Sequence, residues 1–335
     1  MDAALLLLIV VLILGLAFEF VNGFHDAANA IATIVATRVL SARAAVLMAG
    51  GLNLVGALSG TAVATTIGKD LVDPGSVTTG TVAAALLAAI IWDLITWYMG
   101  IPSSSSHALL FGTLGAAVAT AGFEVVIIGG LTKVVFGIVY SPVVGVMGGA
   151  LLMFLLIWAL HRTRPDKVGR IFGRAQLLSS AYMAFSHGSN DGQKTMGILS
   201  LSLFTYGALG STFYVPVPIM IASALAMGLG TAMGGWRIIR TMGTRMVQLQ
   251  PVHGFAAETA AGTLIEVATR AGIPISTTHA ISGAIIGVGA LRGTHAVRWS
   301  MVAEILMAWV LTIPACFSLG WLLMQVGTRL VALFS

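Results

Sequence analysis

Long apolar stretches, broken at a few points by short polar clusters, set the pattern of this chain. Residues 5–39, 44–64, 81–121 and 134–160 make one series, and 175–207, 214–235, 254–291 and 300 onward a second. About 20 apolar residues cross a bilayer as a helix, so each stretch supplies at least one span. The third stretch of each series is twice that length and carries a breaker, Gly100-Ile101-Pro102 in one and Gly272-Ile273-Pro274 in the other. Proline and glycine end helices, so both stretches are expected to fold as hairpins that return to the face they entered. Pro142 predicts a kink in 134–160, and residues 300–335 leave room for one or two helices.

The charges orient these spans. Basic residues concentrate at 161–174 (HRTRPDKVGRIFGR) and 237–245 (RIIRTMGTR), with Arg38, Arg43, Arg292 and Arg298 near other span ends. The positive-inside rule puts them all in the cytoplasm and leaves 69–79, with its Asp73-Pro74-Gly75 turn, outside. Threaded this way, the first hairpin enters from outside and the second from inside. The motifs recur in the same order. Asn22-Gly23-Phe24-His25-Asp26 resembles His187-Gly188-Ser189-Asn190-Asp191, with the aspartates 165 residues apart. Gly100-Ile101-Pro102-Ser103-Ser104-Ser105-Ser106-His107 matches Gly272-Ile273-Pro274-Ile275-Ser276-Thr277-Thr278-His279, with the histidines 172 apart. The expected fold is an all-α polytopic membrane protein of two inverted-topology repeats, 1–160 and 175–335, joined by a basic cytoplasmic linker at 161–174. Broken helices in paired positions point to a secondary transporter with its site at midplane.

Composition narrows the function further. Hydrophobic residues make up 58% of the 335 and charged ones 9%, with a mean hydropathy of +0.98, so lipid is the main solvent. The net charge of +5 lies in the short loops and reads as orientation rather than nucleic-acid binding. The opening apolar run lacks a basic n-region and cleavage site and reads as a retained helix. Cys316 is the single cysteine, and no HExxH pattern, cysteine cluster or nucleophile–base pair is evident, so neither a permanent metal nor an enzyme is expected.

Each hairpin tip then acquires a chemistry. A breaker followed by hydroxyl residues and a new helix exposes a helix N-terminus, whose free N–H groups and positive dipole end suit an anion. Ser104, Ser105 and Ser106 face this way from one tip, and Ser276, Thr277 and Thr278 from the other. The competing reading is that they only cap helices or glue close contacts. Asp26 and Asp191 each interrupt an apolar stretch in what reads as a Gly- and Asn-containing break, where carboxylate and backbone oxygens suit a cation or a carried proton. Glu258 is a second candidate for coupling. His25, His187, His107 and His279 give a weaker signal, and Glu19, Asp93, Glu266 and Glu304 read as buried caps or paired scaffold groups.

These motifs resemble those of the inorganic phosphate transporter (Pit) family, in its bacterial form, over nearly the whole chain. Residues 22–30 (NGFHDAANA) are similar to that family's first signature, residues 185–194 (FSHGSNDGQK) to its second, and 92–107 and 272–279 to its hairpin tips. The resemblance implies cation-coupled phosphate uptake across the plasma membrane by alternating access, with the Ser/Thr tips on the anion and Asp26 and Asp191 in the coupling region. It also implies phosphate carried with a divalent metal, as cargo rather than on a permanent site, and is compatible with a homodimer.

Two departures from the family pattern bear on coupling. Sodium-linked members carry Asn three residues after each signature aspartate; Asn29 keeps that pattern, whereas Lys194 replaces it. Asn53 stands where those members have a glutamate, and Glu258 is read as the counterpart retained in the second half. A fixed ammonium repels sodium, so proton coupling is expected over sodium. Gln193 and Asn190, beside Asp191 and Lys194, are expected to modulate the site. Sulfate or another oxyanion permease of this architecture, and an anion channel built on the same helix ends, are the alternatives.

Overall fold

The computed structural model describes residues 2–334, which are helical apart from turns and two isolated β-bridges. The first half runs α1 (Ala3–His25), α2 (Ala27–Ala36), α3 (Ala42–Ala57), α4 (Ala62–Thr65) with a π-helical turn Thr66–Asp70, α5 (Thr79–Met99), α6 (Ser105–Ala121) and α7 (Ile128–Leu160). The second runs α8 (Pro165–Thr205), α9 (Val217–Met233), α10 (Trp236–Arg240) with a π-helical turn Thr241–Arg245, α11 (Pro251–Arg270), α12 (Thr277–Ala290) and α13 (Trp299–Phe334). The order recurs down to the π turns, a 3₁₀ turn before the last helix, and one bridge per half, Val72 with Val126 and Val247 with Val297.

Among the described residues, four stretches are long and apolar enough to cross a membrane: Ala3–Ala36, Thr79–Met99, Ile128–Leu160 and Trp299–Leu330. Ala42–Ala57 with Ala62–Asp70, and Val217–Met233 with Trp236–Arg245, are pairs bent by 64° and 58°. Large apolar side chains such as Leu47, Met147, Trp158 and Val310 point outward, as lipid-facing positions do. The polar middle of α8 is turned inward instead, with residues 186–202 buried throughout. The halves interlock: α7 packs on α12, α13 on α6, α8 on α3 and α11, and α1 on α9 and α5.

Both hairpins form at the expected breakers, and for one backbone reason. Gly100 (φ 70°) and Gly272 (φ 67°) take the left-handed conformation that stops α5 and α11, and the proline two residues on cannot resume the helix.

Several expectations need correction. The basic segment 161–174 is not a loop, because α8 starts at Pro165, a residue preorganised for the first turn, with Asp166 at its positive end. Charge marked exposure there, not loss of helix. Likewise 237–245 is helical, and the spans 44–64 and 214–235 each bend and continue, to Asp70 and Arg245. Residues 299–334, where one or two helices had room, form one helix with Pro314 inside it, which is no departure. Asp26 does sit at a one-residue interruption between α1 and α2, but Asp191 lies within the unbroken α8. His187 four residues before it and Lys194 three residues after it reach Asp191 along one helix face, a spacing that supports continuous helix.

Candidate functional site

Each tip is a helix start held from the opposite half. Ser104 Oγ accepts the His107 N–H of α6 at 3.3 Å, and Ser276 Oγ accepts the His279 N–H of α12 at 3.2 Å. These two serines are therefore helix caps. The N–H groups of Ser105, Ser106, Thr277 and Thr278 lie in the first turn, where a helix offers them no acceptor, and the positive dipole ends add to their pull on an anion. Thr241 donates to the Gly100 carbonyl at 2.8 Å and Thr66 to the Gly272 carbonyl at 2.8 Å, so the bent helix of each half pins the other's hairpin. The tip residues are at most 4% exposed.

The signature aspartates meet the tips, each on its own half. Ser105 Oγ lies 3.4 Å from Asp26 Oδ1, and Thr277 Oγ1 donates to Asp191 Oδ2 at 2.9 Å. The residue three positions further on crosses over in both halves. Asn29 Nδ2 donates to Thr278 Oγ1 at 3.0 Å and Thr277 Oγ1 at 3.2 Å. Lys194 Nζ donates to Ser106 Oγ at 2.5 Å, to the Ile275 carbonyl at 2.7 Å and to Asp191. One ammonium thus ties together α8, the first tip and the second. Asp26, His187 and Asp191 bring ligand atoms within 4.8 Å of one another, so charges from both halves converge on one buried volume.

Three expected residues stand beside this centre, and a fourth, Glu258, stands apart from it. Gln193 braces α4, its Oε1 accepting the Val63 N–H at 2.9 Å, and Asn190 donates to Thr269 Oγ1 at 2.8 Å on α11. Asn53 donates to Thr231 Oγ1 at 2.8 Å and faces His187 Nδ1 at 3.2 Å, while His187 Nε2 lies 3.2 Å from Asp191 Oδ2. Asn53 therefore orients the imidazole against Asp191. Glu258 forms a separate cluster, accepting from Thr33, from Ser179 at 2.5 Å and from Gln176 at 3.2 Å. It is not the counterpart of Asn53. Asn53 lies on α3, whose place in the second half is taken by α9, whereas Glu258 is on α11 of the hairpin.

The histidines carry more of the site than their pattern suggested. His25 Nδ1 lies 2.6 Å from Asp26 Oδ1, and its Nε2 faces Thr96 Oγ1 at 3.0 Å, itself bonded by Ser103 Oγ at 2.8 Å. His107 and His279 meet edge to face, ring centroids 4.5 Å apart, and His279 stacks on Trp309 at 3.7 Å. The signal was present in the shared 172-residue offset of those two histidines. Thr96, four residues before Gly100, was not legible, since Thr269 lies three residues before Gly272 and the two do not share the 172-residue offset.

Chemically, the centre offers hydroxyls and helix N-termini to an anion, and carboxylates that demand cations beside it. Comparison with known proteins agrees with that chemistry. Residues 22–320 match the phosphate transporter family. A Rhizobium meliloti protein described as a probable low-affinity inorganic phosphate transporter is 48% identical over 318 residues, covering 94% of this chain and 95% of its own. A Bacillus subtilis protein of the same description is 43% identical over 322 residues, covering 96% and 97%. A solved structure, the sodium-dependent phosphate transporter, superposes with a TM-score of 0.88 at 26% identity, covering 96% of this chain and 99% of that one. This chain is thus a membrane protein that belongs to the phosphate transporter family, a family of transporters rather than enzymes.

Proposed function

We propose that the chain imports inorganic phosphate across the plasma membrane by cation-coupled symport, with alternating access around the two hairpin tips. The crossing of Asn29 to Thr278 and of Lys194 to Ser106 carries this reading. Each half holds the other's tip through a residue attached to its own aspartate, so a ligand or ion that displaces one contact loosens the grip between halves. On this reading, residues 1–160 and 175–335 are inverted repeats, 161–174 faces the cytoplasm, and a tetrahedral anion sits between Ser105, Ser106, Thr277 and Thr278.

The coupling ion we propose is a proton. Lys194 hydrogen bonds directly to Asp191, so sodium at that carboxylate would have to share it with a fixed ammonium. A divalent metal is proposed to enter with phosphate as cargo.

Reconstitution tests the reading. Proteoliposomes containing the purified chain are expected to accumulate labelled phosphate under an inward proton gradient. Accumulation that follows only a sodium gradient would overturn proton coupling. Sulfate accumulated in preference to phosphate would overturn the substrate, and purely downhill flux would favour a channel.

A further inference from the structure

Behind the second bent helix lies a cavity of about 350 Å³, none of whose lining residues belongs to a tip. Thr244, Gln248, Arg292, His295 and Arg298 bring it hydrogen-bond donors, and no acidic residue lines it. Arg292 Nη1 donates to the Gln248 carbonyl at 2.5 Å, which fixes one edge of that guanidinium. The Arg298 backbone is held by its N–H, which donates to the Met246 carbonyl at 3.0 Å. Among the described residues the arginines in ion pairs are Arg164, Arg170 and Arg270, so Arg292 and Arg298 have no carboxylate to neutralise them. Glu304, further along α13, lines a different cavity with Arg245.

The first half builds the same frame without this charge. In each half a π-helical turn leads into the bridge, Val72 with Val126 and Val247 with Val297. A glycine of positive φ, Gly122 or Gly293, precedes the 3₁₀ turn Phe123–Val125 or Thr294–Ala296. Ile127 N–H then returns to the Leu71 carbonyl at 3.1 Å, as Arg298 N–H returns to Met246. Place for place, Asp73 stands for Gln248, Ala121 for Arg292, Glu124 for His295 and Ile127 for Arg298. Because the frame closes with those residues in one half, folding does not require the basic set in the other. The positive-inside rule accounts for basic residues at this face but not for their convergence on one cavity that lacks an acid.

Two guanidinium forks with a hydroxyl and an amide around a concave space suit the oxygens of a phosphate group, which arginine takes bidentately. We propose that this cavity binds a phosphate group as a second anion site, apart from the tips, and that its occupancy slows transport. The position supplies the link. Helix α12 starts at the second tip and ends at Ala290, two residues before Arg292. Thr244 lies in the π-helical turn whose Thr241 donates to the Gly100 carbonyl of the first tip. A phosphate group held by Arg292, Arg298 and Thr244 ties the second hairpin to the helix that pins the first, and so opposes their relative motion. On the face proposed as cytoplasmic, that group comes from free phosphate or from the headgroup of an anionic lipid. The proposal rests on the phosphate-transport reading and adds to it a regulatory anion site.

Exchange of labelled phosphate at equal concentrations on both sides of phosphatidylcholine proteoliposomes tests it whichever way the protein is inserted. Wild-type exchange is expected to rise with phosphate and then fall at least about threefold from its maximum. Arg292→Gln combined with Arg298→Gln should saturate without falling, and should match the wild type within about twofold at low phosphate. If the headgroup is the source, wild-type exchange saturates simply in phosphatidylcholine and drops at least about threefold when phosphatidylglycerol is included, while the double variant does not drop. Either result supports the site and names its source. Wild type and double variant behaving alike in both titrations would overturn it. Should the double variant not fold, Arg292→Lys combined with Arg298→Lys keeps the charge, loses the forks and should likewise relieve the inhibition; inhibition equal to the wild type would overturn the proposal. Wild-type protein that exchanges no phosphate in either membrane would remove the transport reading, and this regulation with it.

Discussion

Lys194 of the second half donates to Ser106 of the first at 2.5 Å, and Asn29 makes the reverse crossing to Thr278 at 3.0 Å. Since both donors lie three residues after an aspartate, the two halves clasp each other through equivalent positions with unequal chemistry. An amide in one place and an ammonium in the other make the clasp asymmetric in charge.

The two aspartates should differ in what their loss does. Asp26→Asn and Asp191→Asn are both expected to abolish phosphate accumulation in proteoliposomes. Only Asp191→Asn leaves a buried ammonium without its carboxylate, which costs about 3–5 kcal/mol. Thermal unfolding in detergent should therefore show a clearly lower midpoint for Asp191→Asn than for Asp26→Asn.

The crossing hydroxyls should tune substrate affinity. Ser106→Ala and Thr278→Val each remove one hydrogen-bonding group near the anion, about 1 kcal/mol each, so half-saturating phosphate should rise roughly fivefold to tenfold. Initial uptake rates across a phosphate titration measure this. An unchanged concentration dependence in both variants would remove the tips from the anion site.

Asn53 acts through His187. Asn53→Ala frees both the imidazole and Thr231 Oγ1, and leaving buried polar groups unpaired costs about 1–3 kcal/mol. Maximal uptake is expected to fall about tenfold per folded molecule, beyond any loss in the amount of folded protein. Equal loss of fold and uptake would make Asn53 a packing residue only.

Glu258 is expected to be structural before it is functional, since it gathers Thr33, Ser179 and Gln176 across three helices. Glu258→Gln keeps one acceptor oxygen and should fold, whereas Glu258→Leu strands three donors at about 1–3 kcal/mol each and should fail to accumulate in the membrane. Fluorescence-detected size exclusion separates the two.

Gly188 sets the approach of α3 to α8. A Cβ there would lie 2.2 Å from the Asn53 carbonyl oxygen, so Gly188→Val should overpack the contact by about 1–3 kcal/mol or more. The same measurement should show less folded protein.

Hairpin positions were legible because glycine, proline and hydroxyl residues act locally: Gly100 and Gly272 must take a positive φ, and Ser104 and Ser276 cap whatever helix follows. The continuity of α8 at Asp191 was not legible. Asn, Gly and Asp together look like a break until Lys194 and His187 are seen to satisfy the carboxylate along one helix face.

By itself, then, the sequence determined an all-helical membrane chain with recurring motifs, since lipid requires backbone hydrogen bonds to close within each segment. Tertiary structure alone decided which side chains meet. Asn53 reaches His187, Lys194 reaches Ser106, and Asn29 reaches Thr278, because interhelical contacts depend on the packing and rotation of helices distant in sequence.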